Sequence, residues 1–236
     1  MTLEIGNPLI EVIGIGQETA PAISEICKLG NEDLAARMFN GQLPSPDTYL
    51  AILLISDDTD ATALADAYKQ AGALTLIVST GATKTREDSY DSMTIVSADR
   101  MAETVKALIL PILNRGLATF DMNDLRQLLH NSKRFKTLST MDNGVTDRVK
   151  AALNKIEPEF KAIKNIKNIG FMVVISPVAE NQLTMAEIVY LQEFCEQIDN
   201  DVNIIWTVYT NPQLAGDMEV DILVSGPEIE FQQLLY

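Results

Sequence analysis

Five residues in a row, Ser56-Asp57-Asp58-Thr59-Asp60, follow a continuous apolar run that ends at Ile55. Carboxylate oxygens at a strand end suit a hard divalent cation such as Mg²⁺, so Asp57, Asp58 and Asp60 are candidate metal ligands. Aspartates after a strand also start turns and cap helices, and that reading stands beside the first. A second pattern is Gly14-Ile15-Gly16-Gln17-Glu18, two glycines between an apolar run and a helix-forming stretch. Glycines in such a turn either let neighbouring elements pack closely or let backbone N–H groups approach an anion. The lone His130 has no recognisable partner in the sequence. Cys27 and Cys195 stand far apart in no metal or disulfide spacing and are expected to be buried small hydrophobes.

The elements that must position these residues follow from periodicity. Leu9 to Gly14 predicts a buried strand, and Ala20 to Leu29, with Ile23, Ile26 and Cys27 at helical spacing, the next helix. Asn31 to Asp47, with Gly41, Pro44 and Pro46, is expected to be a connection. Tyr49 to Ile55 suits a central strand, Thr62 to Ala71 a helix closed by Gly72, Leu74 to Val78 a strand, and Met93 to Val96 another. Such alternation favours an α/β, Rossmann-like parallel sheet whose ligands bind beyond the carboxyl ends of the strands. Gly14 to Thr19, Ser56 to Asp60 and Ser79 to Lys84 should therefore meet. A long helix from Ala98 to about Asn114 then separates two halves. The second half is expected to be α+β: a helix at Asp124 to Asn131, a helix-rich basic segment at Val145 to Lys167, and a strand at Gly170 to Ile175. A helix opened by the capping box Thr184-Met185-Ala186-Glu187 and strands at Val202 to Tyr209 and Val220 to Ser225 complete it.

Composition bounds the function classes. The 236 residues are 47% hydrophobic and carry 33 acidic against 18 basic side chains, a formal charge of −15. That excess argues against nucleic acid or an anionic membrane as a partner. No apolar run is long enough to span a bilayer, and the expected location is cytoplasmic. The charge is unevenly spread: residues 133–167 hold nine basic and four acidic side chains, whereas residues 168–236 hold eleven acids and no base. A Lys-rich stretch of this kind is either a solvated helix face or an attachment surface for an acidic partner.

Gly116-Leu117-Ala118-Thr119-Phe120-Asp121-Met122-Asn123-Asp124-Leu125 resembles a loop of the FtsZ/tubulin family, where the pattern runs roughly G-L-I-N-L-D-F-A-D-V. The order of elements agrees with that family over most of the chain. The resemblance implies a reduced nucleotide-binding domain (1–97), a central helix and connection (98–120) and an activation-type α+β domain (121–236). It implies GTP or GDP as cofactor, with Gly14, Gly16, Gln17, Ser56 and Thr59 at the nucleotide. It also implies a head-to-tail homo-oligomer or FtsZ-like partner, in which the catalytic acids Asp121 and Asp124 reach the nucleotide of the next subunit and orient a water there.

Two departures bear on activity. The family's GGGTGTG loop is replaced by Ser56 to Asp60, and Glu18 follows the first glycines. A carboxylate about 6 Å from a phosphate charge repels it by roughly 3 kcal/mol at an effective dielectric near 20. The leading expectation is a divergent family member serving as a self-associating or partner-binding scaffold with lost or weakened GTP binding. The alternatives are an active, cell-division-type GTPase in which Mg²⁺ on Asp57, Asp58 or Asp60 offsets the phosphate charge, and a metal-dependent hydrolase or receiver-like module built on the same aspartates. For Asp121 and Asp124 the competing reading is a helix cap without catalysis.

Overall fold

The computed structural model describes residues 9–114, 116, 118–144, 147–177, 183–199 and 201–231. The chain forms two compact units, Met1–Lys106 and Ala107–Tyr236. The first contains β1 (Ile10–Ile15), α1 (Ala20–Cys27), β2 (Leu34–Met38), β3 (Leu50–Ile55), α2 (Thr62–Gln70), β4 (Leu74–Ser79) and β5 (Ser92–Ile95), and α3 (Met101–Leu113) begins in it. Its strands run parallel in the order β2-β1-β3-β4-β5. Every residue of β3 and β4 is buried, which is why Leu-Ala-Ile-Leu-Leu-Ile and Leu-Thr-Leu-Ile-Val-Ser read as unbroken runs rather than alternating ones. On one face Leu53, Ile55 and Ile77 pack with Ala65 and Tyr68 of α2.

The expected connection from Asn31 to Asp47 contains a strand. β2 pairs in parallel with β1 although Leu-Ala-Ala-Arg-Met has no β-branched residue and is only half-buried. A buried carboxylate anchors this edge of the unit. Glu11 of β1, 3% exposed, accepts from Arg37 Nη2 of β2 at 3.0 Å and from Tyr68 Oη of α2 at 3.0 Å. Within the connection, Ser45 N and Thr48 Oγ1 donate to the same carboxylate at 2.9 and 2.6 Å.

The second unit receives the end of α3 and adds α4 (Met122–Leu129), β6 (Lys133–Asp142), α5 (Arg148–Lys161), β7 (Ile163–Lys164), β8 (Asn168–Ile175), α6 (Met185–Cys195), β9 (Asn203–Thr210), β10 (Met218–Gly226) and β11 (Glu230–Phe231). Its strand order is β6-β10-β8-β9, with β10 antiparallel to both neighbours and β8 parallel to β9, while β7 and β11 form a separate antiparallel ribbon. β6 is a second strand that periodicity does not foretell: only Phe135 and Leu138 of its ten residues are buried, so the alternating signal is missing. The basic segment expected to be helical to Lys167 is helical only to Lys161, and its first residues, Val145 and Thr146, lie outside the described residues. α5 buries Val149, Ala152, Leu153 and Ile156, the spacing of one helix face, against Phe171, Val173, Val220 and Ile222 of the sheet.

The capping box foreseen at Thr184 is present. Glu187 N donates to Thr184 Oγ1 at 3.3 Å, and Glu187 Oε2 accepts from Thr184 N at 2.9 Å. The same carboxylate takes Arg148 of α5 into the interior, with Nε at 2.9 Å and Nη2 at 3.1 Å, so the first turns of α5 and α6 share one buried ion pair. Among the described residues no helix is long and apolar enough to cross a membrane.

Candidate strand-end site

In the first unit β1 lies between β2 and β3, so the chain leaves β1 toward one side and β3 toward the other. Loops diverge at such a point and open a crevice at the carboxyl ends of the strands. Here the crevice is narrow. Gly16 adopts φ +93°, and a Cβ at this position would lie 2.6 Å from Ser56 Oγ, so the loops after β1 and β3 are in close contact only because residue 16 is glycine. Gly14 serves packing: a Cβ there would lie 2.8 Å from Ile23 Cγ1 and 2.9 Å from Met38 Sδ. Gln17 and Glu18 are exposed, and Thr19 is buried, its hydroxyl donating to the Gly16 carbonyl at 2.8 Å.

The loop after β3 is joined to the loop after β4 along its length. Asp57 N donates to Thr80 Oγ1 at 2.9 Å and Asp58 N to the Ala82 carbonyl at 2.7 Å. Ala61 N donates to Thr85 Oγ1 at 2.8 Å and Thr62 N to Asp60 Oδ1 at 2.9 Å. Thr59 N reaches the Ser56 carbonyl at 3.4 Å. In the opposite direction, Lys84 N and Thr83 Oγ1 both donate to the Thr59 carbonyl, at 3.0 and 2.8 Å. The N–H groups of Asp57, Asp58, Thr59, Ala61 and Thr62 thus already have protein acceptors.

The three aspartates do not converge. Asp57 lies against Gly81, where any side chain would collide with its carboxylate. Asp58, in the left-handed region at φ +61°, pairs with Lys84. Asp60 accepts from the N–H of Thr62, the first residue of α2, and the Thr62 hydroxyl and N–H hold its carboxyl below the usual carboxylate range. Among the described residues no group of three or more His, Cys, Asp and Glu side chains is placed to hold a metal ion, so the expected shared site on Asp57, Asp58 and Asp60 is not assembled.

Asp121 and Asp124 bond to each other's backbone. Asp121 Oδ1 accepts from Asn123 N at 2.7 Å and from Asp124 N at 3.2 Å, while Asp124 Oδ2 accepts from Asp121 N at 2.9 Å. This reciprocal capping box opens α4. Asp121→Ala is expected to cost about 1 kcal/mol in urea unfolding, a cap's ordinary contribution. Upstream, Ala118 O accepts from Thr207 Oγ1 of β9, and Gly116 bridges to Tyr209; Leu117 lies outside the described residues. His130 is exposed, its Nε2 2.8 Å from Asn131 Nδ2. Cys27, expected to be buried, is exposed, with its Sγ 3.2 Å from the Ala36 carbonyl. Cys195 is partly buried, and burial pushes its thiol up to about 11.

Known structures share this fold. An empty dimer of FtsZ from M. jannaschii superposes with a TM-score of 0.73 at 14% identity, over 99% of this chain and 95% of that one. The chain has the FtsZ/tubulin fold. A mutant of M. jannaschii FtsZ gives a TM-score of 0.69 at 14% identity over 96% of each chain. TubZ of Bacillus thuringiensis serovar israelensis, in GDP-form protofilaments, gives 0.57 at 9% identity over 96% of this chain and 86% of that one. Neither a protein-family model nor a curated protein matches the chain. In this FtsZ/tubulin fold the strand ends meet as the topology requires, but their loops differ from the expected phosphate cradle in charge and in hydrogen bonding. Lys84, Thr80, Thr83 and Thr85 are the residues that make the difference. The run Thr80 to Thr85, alternating small, hydroxyl and basic side chains, is their only trace in the sequence.

Proposed function

We propose that the chain is a self-associating scaffold of FtsZ/tubulin fold in which the loop that would hold the phosphates of GTP is closed by the protein's own groups. The observation that carries this reading is the bonding of Asp57, Asp58, Ala61 and Thr62 N–H to Thr80, Ala82, Thr85 and Asp60. A nucleotide using this loop would have to break several of those bonds, each worth about 1 kcal/mol net, and approach three aspartates and Glu18. Binding and hydrolysis of GTP through it are therefore lost or strongly weakened. Asp121 and Asp124 keep the positions of catalytic acids and act as a helix cap.

Self-association is supported by the company the fold keeps: the similar structures are a dimer and protofilaments. Sedimentation velocity over a wide concentration range, with and without GTP and Mg²⁺, tests the reading. Association that grows with concentration and ignores nucleotide is the expected result. A monomer at every concentration contradicts the scaffold, and assembly that requires GTP contradicts the closed loop.

A further inference from the structure

We propose that the cleft between the C-terminal ends of α5 and α6 and the β7–β11 ribbon binds a monomeric amphiphile with one anionic head, a medium- or long-chain carboxylate. The hydrocarbon chain would lie on the apolar floor of the cleft and the head at Lys164 and Lys167. The cleft lies wholly within the second unit and involves one copy of the chain.

Its volume, about 710 Å³, is that of a small-molecule site. The floor comes from the ends of several elements: Phe160 from the last turn of α5, Phe194 from the last turn of α6, Ile166 between β7 and β8, and Ile198 and Val202 between α6 and β9. All five are half-buried and pack on the core of this unit. The aromatic part of the floor is fixed in place. The Phe194 ring stands edge-on to Phe171, with centroids 5.8 Å apart, and tilted against Phe160 at 5.9 Å. Apolar surface of this extent left facing the cleft suits a hydrocarbon chain, whose binding strengthens with each methylene it covers.

The polar groups of the rim are unevenly satisfied. Lys161 is paired with Glu157 at 2.6 Å, and Asp199 Oδ1 accepts from Asp201 N at 3.2 Å. Lys164 Nζ donates to the Lys161 carbonyl at 3.3 Å, which ties it to the last turn of α5 and leaves its other protons free. Lys167 is exposed. Among the described residues neither Lys164 nor Lys167 has an ion pair, and Glu228 is the remaining acid of the rim. Lys133 and Arg134 stand opposite Gly226, the residue before Pro227 of the rim, and add to the positive field.

A locally cationic cleft in a chain of net charge −15 selects its occupant. An acidic protein or an anionic bilayer meets the repulsion of the whole chain, whereas a single small head meets only the field within a screening length of about 8 Å. Inorganic phosphate would leave the apolar floor uncovered, and a cationic amphiphile would place its head among lysines.

Calorimetric titration of the full chain with dodecanoate below its micelle concentration tests the proposal. Saturable one-to-one binding is expected, with octanoate at least about tenfold weaker because it covers fewer methylenes. Lys164→Gln/Lys167→Gln, at exposed positions, should weaken dodecanoate about tenfold and leave the urea midpoint unchanged. Dodecyltrimethylammonium, with the same chain and the opposite head, should bind at least about tenfold more weakly than dodecanoate. Ile166→Ser should weaken dodecanoate without altering the preference for the anionic head. Absence of saturable dodecanoate binding overturns the proposal. So does binding that ignores the lysine substitutions, the chain length or the sign of the head.

Discussion

Glu187→Ala is expected to lower the free energy of unfolding by about 3–5 kcal/mol, the usual cost of removing one partner from a buried ion pair. Arg148 and Glu187 are 1% and 4% exposed, so the guanidinium left behind could not recover its lost hydration. The carboxylate accepts Arg148 Nε and Nη2 at 2.9 and 3.1 Å, and Arg148 N at 3.2 Å. It also accepts Thr184 N and Oγ1, both at 2.9 Å. The alanine variant thus loses the capping box of α6 together with the ion pair. A shift of the urea midpoint with little change in slope is the expected signature. Replacing both partners with apolar residues of similar volume should recover much of the loss, because the penalty lies in the orphaned charge.

The same group gives a signed pH dependence. Burial alone would raise the Glu187 carboxyl, but Arg148 and the Thr184 donors outweigh it and bring it down to about 2. A carboxyl depressed in the folded state contributes stability that is present above its ordinary value, near 4.5, and is lost as pH falls from there through about 2. In Glu187→Gln this portion of the acid-induced loss of stability should be absent.

Glu11→Ala is the second large effect expected, about 3 kcal/mol, since it leaves Arg37, Tyr68, Thr48 and Ser45 N without their common buried acceptor. Burial raises the Glu11 carboxyl, and the Thr48, Ser45, Tyr68 and Arg37 donors together hold it below the ordinary value. Its contribution is therefore also strongest above the unfolded carboxyl range and declines on acidification. Because Arg37 belongs to β2 and Ser45 and Thr48 to the segment after it, the variant should loosen this edge first. Faster amide exchange in residues 34–48 than in β3 or β4 checks that expectation. Tyr68→Phe removes one donor and leaves the acceptor with three others, so it should cost only about 1 kcal/mol.

Those two carboxylates mark the boundary of what could be read from residue order. β3 and β4 were legible because strands buried on both faces leave an unbroken apolar run, and α1 because Ile23 and Ile26 repeat at helical spacing. The capping box of Thr184 with Glu187 was legible because its partners stand three residues apart, and Asp121 was legible as a helix cap, whereas its reciprocal bond with Asp124 was not foreseen. β2 and β6 were not. Leu-Ala-Ala-Arg-Met and Lys-Arg-Phe-Lys-Thr-Leu carry no strong local preference, and pairing with β1 and β10 makes them strands. Partners distant in sequence were equally hidden: Glu11 and Tyr68 are separated by 57 positions, and Arg148 and Glu187 by 39.

At the strand ends, sequence order located the loops but not their bonding. Residues 14–19, 56–60 and 79–84 were expected to meet through topology alone, and the excess of aspartate was plain. Whether those aspartates gather on a metal or turn outward to separate partners depends on Thr80, Lys84 and Thr85, more than twenty residues away. Likewise, the glycine at position 16 signals a tight turn, whereas its closeness to Ser56 is a property of β1 and β3 lying side by side.

The proposed closure of the loop after β3 against GTP is tested most directly by thermal unfolding of the full chain titrated with GTP in the presence of Mg²⁺. A ligand at about a hundred times its Kd stabilises the folded state by about 2.7 kcal/mol, a shift of several degrees in Tm for a protein of this kind. The midpoint is predicted to stay constant as GTP rises to millimolar concentration. A saturable rise in Tm that depends on GTP would contradict the account.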